Sequence, residues 1–378
     1  MILKNARIVN HAFQFMAGDV QVKGDRIYEM GTGLTGDEVV DCAGLTLLPG
    51  LVDVHTHECI GESLMGCTME GLARMGKYYG ENGITSYYAT TGSYPEAVLA
   101  PTYETLGRYI QEQKGGAVMR GIHMEGPFFC QPYRGSHIPE NLESPNVDMV
   151  RRLNDRSGGN IKLVCVAPEL PGGMEFVRAL SPEMVVSLAH TGATYEEAMV
   201  AYGLGAKNTT HLFNGMVGIH HRAPGVIAAA LEASPYVEMM TNGIHVEVPI
   251  VRMVHRVIGK DRFVMISDSC IATGVEGDTF IREGGQKLEI RENGASYLAG
   301  TETLTGSINN LYEMLTFAIQ KVGIPYLAAV QAATINPARM MGIAEEVGSI
   351  ATGKQADILL VDDHMTLQRV YIGGVRIR

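Results

Sequence analysis

The sequence predicts an α/β protein: a (β/α)8 TIM-like barrel with a small β-sandwich domain formed by both chain termini. Three observations predict it. At 378 residues the chain exceeds one small domain, whereas α/β barrels run to about 250 residues or more as a single domain. The stretch 51–345 alternates short apolar runs with longer helical patterns, as parallel βαβ units do. Residues able to carry chemistry stand where those apolar runs stop, the end at which a barrel assembles its site.

Residues 1–50 read as short strands joined by turns: "ILKNARIVN", then "GDVQVKGDRIYEMG" with a turn at Gly24 and Asp25, then "DEVVDCAGLTLLPG". Residues 346–378 read the same way, with "QADILLVDD" followed by "LQRVYIGGVRIR" around Gly373 and Gly374. The two ends are assigned to one discontinuous domain and residues 51–345 to the barrel.

The barrel opens on "LVDVHTHE". Side chains alternate along a strand, so His55 and His57 share a face while Thr56 takes the other. Two imidazoles on one face suit a shared metal; two polar residues repeating at a strand end would give the same pattern. Further along, "VMRGIHME" ends at Glu125, "EMVVSLAH" at His190, "AKNTTH" at His211 and "RFVMISD" at Asp268. Between the later histidines, Thr194 followed by Glu197 is a capping box that opens a helix, Gly203 and Gly205 end it, and "AKNTT" returns as a strand. His190 and His211 therefore occupy matching ends of consecutive parallel strands, which makes them neighbours across the mouth.

Composition narrows the function. With 46% hydrophobic and 19% charged residues the chain buries a sizeable core. A net charge of −11 without a basic stripe excludes nucleic acid, and requires local cations for any anionic substrate. The start "MILKNARIVNHAFQF" lacks a secretory pattern, and no run of about 18 apolar residues marks a membrane span. Six cysteines (Cys42, Cys59, Cys67, Cys130, Cys165, Cys270) form no CxxC pair, so free thiols in a reducing cytoplasm are expected. The 21 methionines read as core filler.

In combination and order, "LLPGLVDVHTH", "GIHMEGPFF", "RGSHIPE", "LAHTGATYEEA", "NTTHLFNGM", "HHRAPGVIAAAL", "NGIHVE", "MISDSCIATG", "LAGTETLTGSINNL" and "AATINPARMMGI" resemble the amidohydrolase superfamily and, within it, the N-acetylglucosamine-6-phosphate deacetylases. The resemblance implies that Glu125, His190 and His211 hold one divalent metal. Zn²⁺ or Fe²⁺ leads, and Mn²⁺ or Co²⁺ is also compatible with such ligands. Retention of His55 and His57 implies a second metal bridged by Glu125. Asp268 is the implied acid/base, taking a proton from the attacking water and returning it to the amine. His137 is implied to contact the acetamide and polarise its carbonyl. Asn214 and Gly215 are implied at the phosphate end, and Arg222 and His245 are expected to reach the phosphate from a neighbouring subunit of a homodimer. Taken alone, Arg222 reads as a surface arginine, and His220 and His221 receive no role. Glu58 departs from the glycine usual after the second histidine, so it faces outward or alters the second metal site. No G-x-S-x-G elbow offers another nucleophile, and Cys270 lacks the surroundings of an activated thiolate.

The expected reaction is removal of the N-acetyl group from N-acetylglucosamine 6-phosphate, in amino-sugar catabolism. The alternatives are the same chemistry on N-acetylgalactosamine 6-phosphate or another N-acyl substrate, and a catalytically dead scaffold.

Overall fold

The computed structural model describes residues 1–282 and 284–378. Its first five strands, β1 (Ile2–Val9), β2 (Phe15–Lys23), β3 (Arg26–Gly31), β4 (Val39–Asp41) and β5 (Thr46–Pro49), precede the barrel. The turn between β2 and β3 falls at Gly24 and Asp25, where Gly24 takes φ +59° at no steric cost.

Eight parallel strands follow: β6 (Leu51–Thr56), β7 (Ile84–Thr91), β8 (Val118–Met124), β9 (Ile161–Val166), β10 (Val185–Leu188), β11 (Asn208–Thr209), β12 (Tyr236–Met239) and β13 (Phe263–Met265). They pair in sequence order. A parallel bridge from Thr56 to Ser269 and a bond from Asp268 N to His55 O (2.9 Å) bring the last strand back to the first. The strands are almost wholly buried, as a sheet covered on one face by helices and on the other by its own interior must be.

Helices cover the outer face. Among them α1 (Met69–Glu81) buries Leu72, Met75 and Tyr79; α2 (Glu96–Glu112), α3 (Val147–Arg156), α4 (Gly173–Leu180), α5 (Tyr195–Gly203) after β10 and α6 (Gly225–Ala233) come next; and α7 (Val248–Ile258) buries Val251, Val254 and Ile258. The capping box of α5 is formed: Thr194 Oγ1 accepts from Glu197 N at 3.2 Å, and the Glu197 carboxylate accepts from Thr194 N at 2.9 Å.

Between β13 and the closing helices lies a three-stranded antiparallel sheet, β14 (Thr279–Ile281), β15 (Lys287–Ile290) and β16 (Ser296–Leu298). The chain then returns to the first sheet as β17 (Ile358–Val361), β18 (Leu367–Ile372) and β19 (Val375–Arg376). β17 pairs with β5, while bonds from Ile27 N to Lys354 O and from Ala356 N to Asp25 O tie β3 to the segment before β17. The terminal sheet thereby curls over its own core of Leu3, Ile8, Val20, Ile27, Leu47, Ile358 and Leu360, separate from the barrel core.

Candidate metal centre and active site

Three site residues occupy left-handed backbone where strand gives way to loop: His190 at φ +46°, His211 at +28° and Asp268 at +48°. Residues with a Cβ seldom adopt this region, and such strain persists where the surrounding fold imposes it. The tight turns bring side chains from β10, β11 and β13 together across the barrel mouth.

Glu125, directly after β8, is the buried centre of the cluster. Its Oε1 lies 3.0 Å from His211 Nε2, 3.4 Å from His190 Nε2 and 3.5 Å from His55 Nε2. Its Oε2 lies 3.2 Å from His57 Nε2 and 3.6 Å from His137 Nε2. One carboxylate thus touches both histidine pairs. Within the pairs, the Nε2 atoms of His190 and His211 are 3.1 Å apart and those of His55 and His57 are 3.3 Å apart. Asp268 Oδ1 stands 3.3 Å from His57 Nε2 and 3.6 Å from His55 Nε2.

Outer hydrogen bonds explain what such crowding is for. His190 Nδ1 lies 2.8 Å from the Tyr133 carbonyl, which can only accept, so Nδ1 carries the proton and the Nε2 lone pair faces the cluster. His55 Nδ1 lies 3.0 Å from Glu238 Oε2, which fixes the same tautomer. In the neutral rings, lone pairs and a carboxylate then converge at 3.4–3.5 Å, a repulsion that only protons or a cation can relieve. A divalent cation resolves this repulsion, and a set of imidazoles and carboxylates at such spacing fits one. Among the described residues, two overlapping triads qualify by distance, His55–His57–Glu125 and Glu125–His137–His190.

Electrostatics point the same way. Burial opposes charge on His55 and His57, yet the fields of Glu125 and Asp268 and their hydrogen bonds prevail, holding His55 well above the usual imidazole value and His57 at about 9. Burial likewise works against ionised Glu125 and Asp268, but the neighbouring imidazoles keep both carboxyls below their ordinary range. The field that gathers protons here also favours metal in their place.

A cavity of about 340 Å³ opens over this cluster. His137 lines it; its Nδ1 accepts from Ser93 N at 3.3 Å, leaving Nε2–H free to donate. Burial pushes His137 well below the usual imidazole value, so it is neutral. Asn214 lines the cavity and is held by the His211 carbonyl at 3.2 Å. Gly215 (φ +59°) makes room for His190, since a Cβ there would fall 2.5 Å from its Nδ1. The two cations expected at a neighbour's phosphate site part company. His245 belongs to its own chain's cavity, with Nε2 3.1 Å from the Gly306 carbonyl, because the loop after β12 folds back over the mouth. Arg222 lies exposed, outside that cavity, 2.6 Å from His221 Nε2.

The amidohydrolase family matches residues 46–377. The chain belongs to that family. It is 31% identical over 390 residues to the human N-acetylglucosamine-6-phosphate deacetylase, covering 98% of this chain and 93% of the relative. The Lysinibacillus sphaericus N-acetylglucosamine-6-phosphate deacetylase is 29% identical, covering 100% of this chain and 98% of the relative. An aspartate-to-alanine variant of the Mycobacterium smegmatis deacetylase, solved in complex with N-acetyl-D-glucosamine-6-phosphate, superposes with a TM-score of 0.93 at 28% identity and covers 100% of this chain and 99% of its own.

Several residues of the site escape a sequence reading. Glu238 on β12 is fully buried and holds both His55 and Asn208, the latter at 2.6 Å. Asp53 on β6 is also buried and accepts from Ser267 Oγ at 2.5 Å, while burial raises its carboxyl to about 7. Glu58 faces inward: it is buried, lines the cavity and accepts from Ser63 Oγ at 2.5 Å. The hairpin joining β14 and β15 adds Arg282 and Gln286 to the wall. Gly284-Gly285 marks that turn in the sequence, as Asn293-Gly294 marks the next one, between β15 and β16. Cys270 also lines the cavity, but burial raises its thiol to about 11, unlike an activated nucleophile.

Proposed function

We propose that this chain hydrolyses N-acetylglucosamine 6-phosphate to glucosamine 6-phosphate and acetate, in amino-sugar catabolism. The observation that carries the proposal is Glu125 in contact with two histidine pairs beside ionised Asp268, in a family chain whose relatives bear that activity's name. Glu125, His190 and His211 would hold one divalent metal and His55, His57 and Glu125 a second, with Zn²⁺ or Fe²⁺ preferred among ions suited to these ligands. Such a metal supplies Lewis acidity at the acyl carbonyl and favours ionisation of water. Asp268 accepts the proton of the attacking water and delivers it to the amine nitrogen as the C–N bond breaks. His137 donates its Nε2–H to the acyl oxygen, while Asn214, Gly215 and His245 orient the sugar phosphate. We assign residues 1–50 and 346–378 to one β-sandwich domain and 51–345 to the barrel, supported by their separate cores.

We further propose a cytoplasmic homodimer in which Arg222 serves the partner's phosphate site. Its exposed position outside its own cavity supports that role, and the six free cysteines fit a reducing compartment. Acetate release from a panel of phosphorylated and unphosphorylated N-acyl sugars, run with metal analysis, tests the reading. His190→Ala or His211→Ala should empty the main site. The His55→Ala, His57→Ala double variant should remove at most one of two metals. A wild type holding a single metal that survives the double change would refute the two-metal arrangement; no acetate from the phosphorylated glucosamine derivative would refute the function.

A further inference from the structure

Four carboxylates, Glu58, Glu125, Asp268 and Glu302, line the cavity of a chain whose net charge is already −11. Among the described lining residues, Arg282 is the one lysine or arginine. We propose that Arg282 is the in-chain cation that binds the anionic end of the substrate and sets preference for a phosphorylated over a neutral sugar. The inference rests on the deacetylase reading above and deepens it.

Arg282 follows β14 and is half-buried. Its Nη2 donates to the Ser136 carbonyl at 2.7 Å and its Nε to Gln286 Oε1 at 2.8 Å; Gln286 Nε2 donates to the same Ser136 carbonyl at 3.1 Å. These neutral acceptors fix the guanidinium plane beside the loop that carries His137. Nη1 has no hydrogen-bond partner among the described residues, and none of their carboxylates forms an ion pair with Arg282. A guanidinium oriented this way in a carboxylate-lined cavity keeps a donor edge for a ligand. Phosphate oxygens match that edge, because the planar fork makes charge-assisted bonds that a neutral hydroxymethyl group cannot return. Arg222, by contrast, depends on a second chain to reach any cavity.

The kinetic test compares kcat/KM for N-acetylglucosamine 6-phosphate with that for N-acetylglucosamine in wild type, Arg282→Met, Arg282→Lys and Gln286→Ala. Loss of a hydrogen bond to a charged group should lower the ratio about 10- to 100-fold in Arg282→Met. Arg282→Lys should recover part of it, and Gln286→Ala, which removes only a neutral support, should shift it less than Arg282→Met. A binding arm independent of turnover measures glucose 6-phosphate against glucose by calorimetry, where Arg282→Met should lose the phosphate advantage. An equal loss on both sugars, or an unchanged ratio, overturns the proposal and leaves Arg282 a support for the His137 loop. If wild type releases no acetate yet binds glucose 6-phosphate through Arg282, the deacetylase reading falls and the anion site stands.

Discussion

At the scale of single residues, Asp268 has its role set by neighbours from other strands. His55 on β6 and His57 just after it overcome the burial penalty and hold its carboxyl below the ordinary range. Asp268→Asn should retain metal, measured by elemental analysis, and lose about 10²–10⁴-fold in kcat, the usual contribution of an acid/base group. Near-normal turnover at full metal content would remove Asp268 from the chemistry. The gathering of His55, His57, Glu125, His190, His211 and Asp268 at one rim was legible because each stands where a strand stops. The left-handed backbone at three of them was not, since neither histidine nor aspartate announces a positive φ and the strain of about 1–3 kcal/mol apiece is imposed by the closed barrel. Glu238 was illegible for a related reason: in "YVEM" it reads as a solvent-facing residue, and only the curvature of the barrel turns it inward against His55.

Among the elements, α5 was legible to the residue because a capping box is local chemistry. β11 shrank to Asn208–Thr209, as the chain leaves the sheet early to place His211. The β14–β16 sheet departs from the barrel pattern, which expects helices between strands, although its turns carry hairpin signals. The start of β17 offers a pH test. Asp357 is buried there; its Oδ1 accepts from Gly373 N at 2.8 Å while Oδ2 has no hydrogen-bond partner among the described residues, and burial raises its pKa. A carboxyl raised on folding binds more protons in the native state than in the unfolded one, where its pKa is about 3.9. Its contribution to stability is therefore full below that value and declines as pH rises through the folded pKa. Asp357→Asn, neutral throughout, should gain stability relative to wild type as pH rises from about 4 to 7. Urea unfolding at both pH values checks this, and a difference that stays flat or reverses would contradict the assignment.

For the whole molecule, charge and assembly are the open physics. An acidic chain must gather anionic substrate with few cations, and the fold separates the two residues expected at the phosphate: His245 in its own cavity, where burial lowers its pKa, and Arg222 on the surface. If Arg222 serves a partner, Arg222→Ala should raise KM for the phosphorylated sugar far more than for the unphosphorylated one. Mixing Arg222→Ala chains with Asp268→Asn chains should then restore part of the activity, because some hybrid dimers pair an intact Asp268 in one subunit with an intact Arg222 from the other. No recovery after proven subunit exchange, or a fully active wild-type monomer, would place all phosphate contacts within one chain.

The sequence by itself determined the alternation of strand and helix, the β-rich ends and the residues that terminate five of the barrel strands. These are written in local patterns of polarity and turn chemistry, which need no knowledge of distant neighbours. Tertiary structure alone decided that Glu125 touches both histidine pairs, that Glu238 and Tyr133 fix the tautomers of His55 and His190, that Glu58 turns inward and that Arg282 joins the cavity wall. Each of these joins residues far apart in the chain, and their spacing is set by how the barrel closes and how the β14–β15 hairpin packs over its mouth.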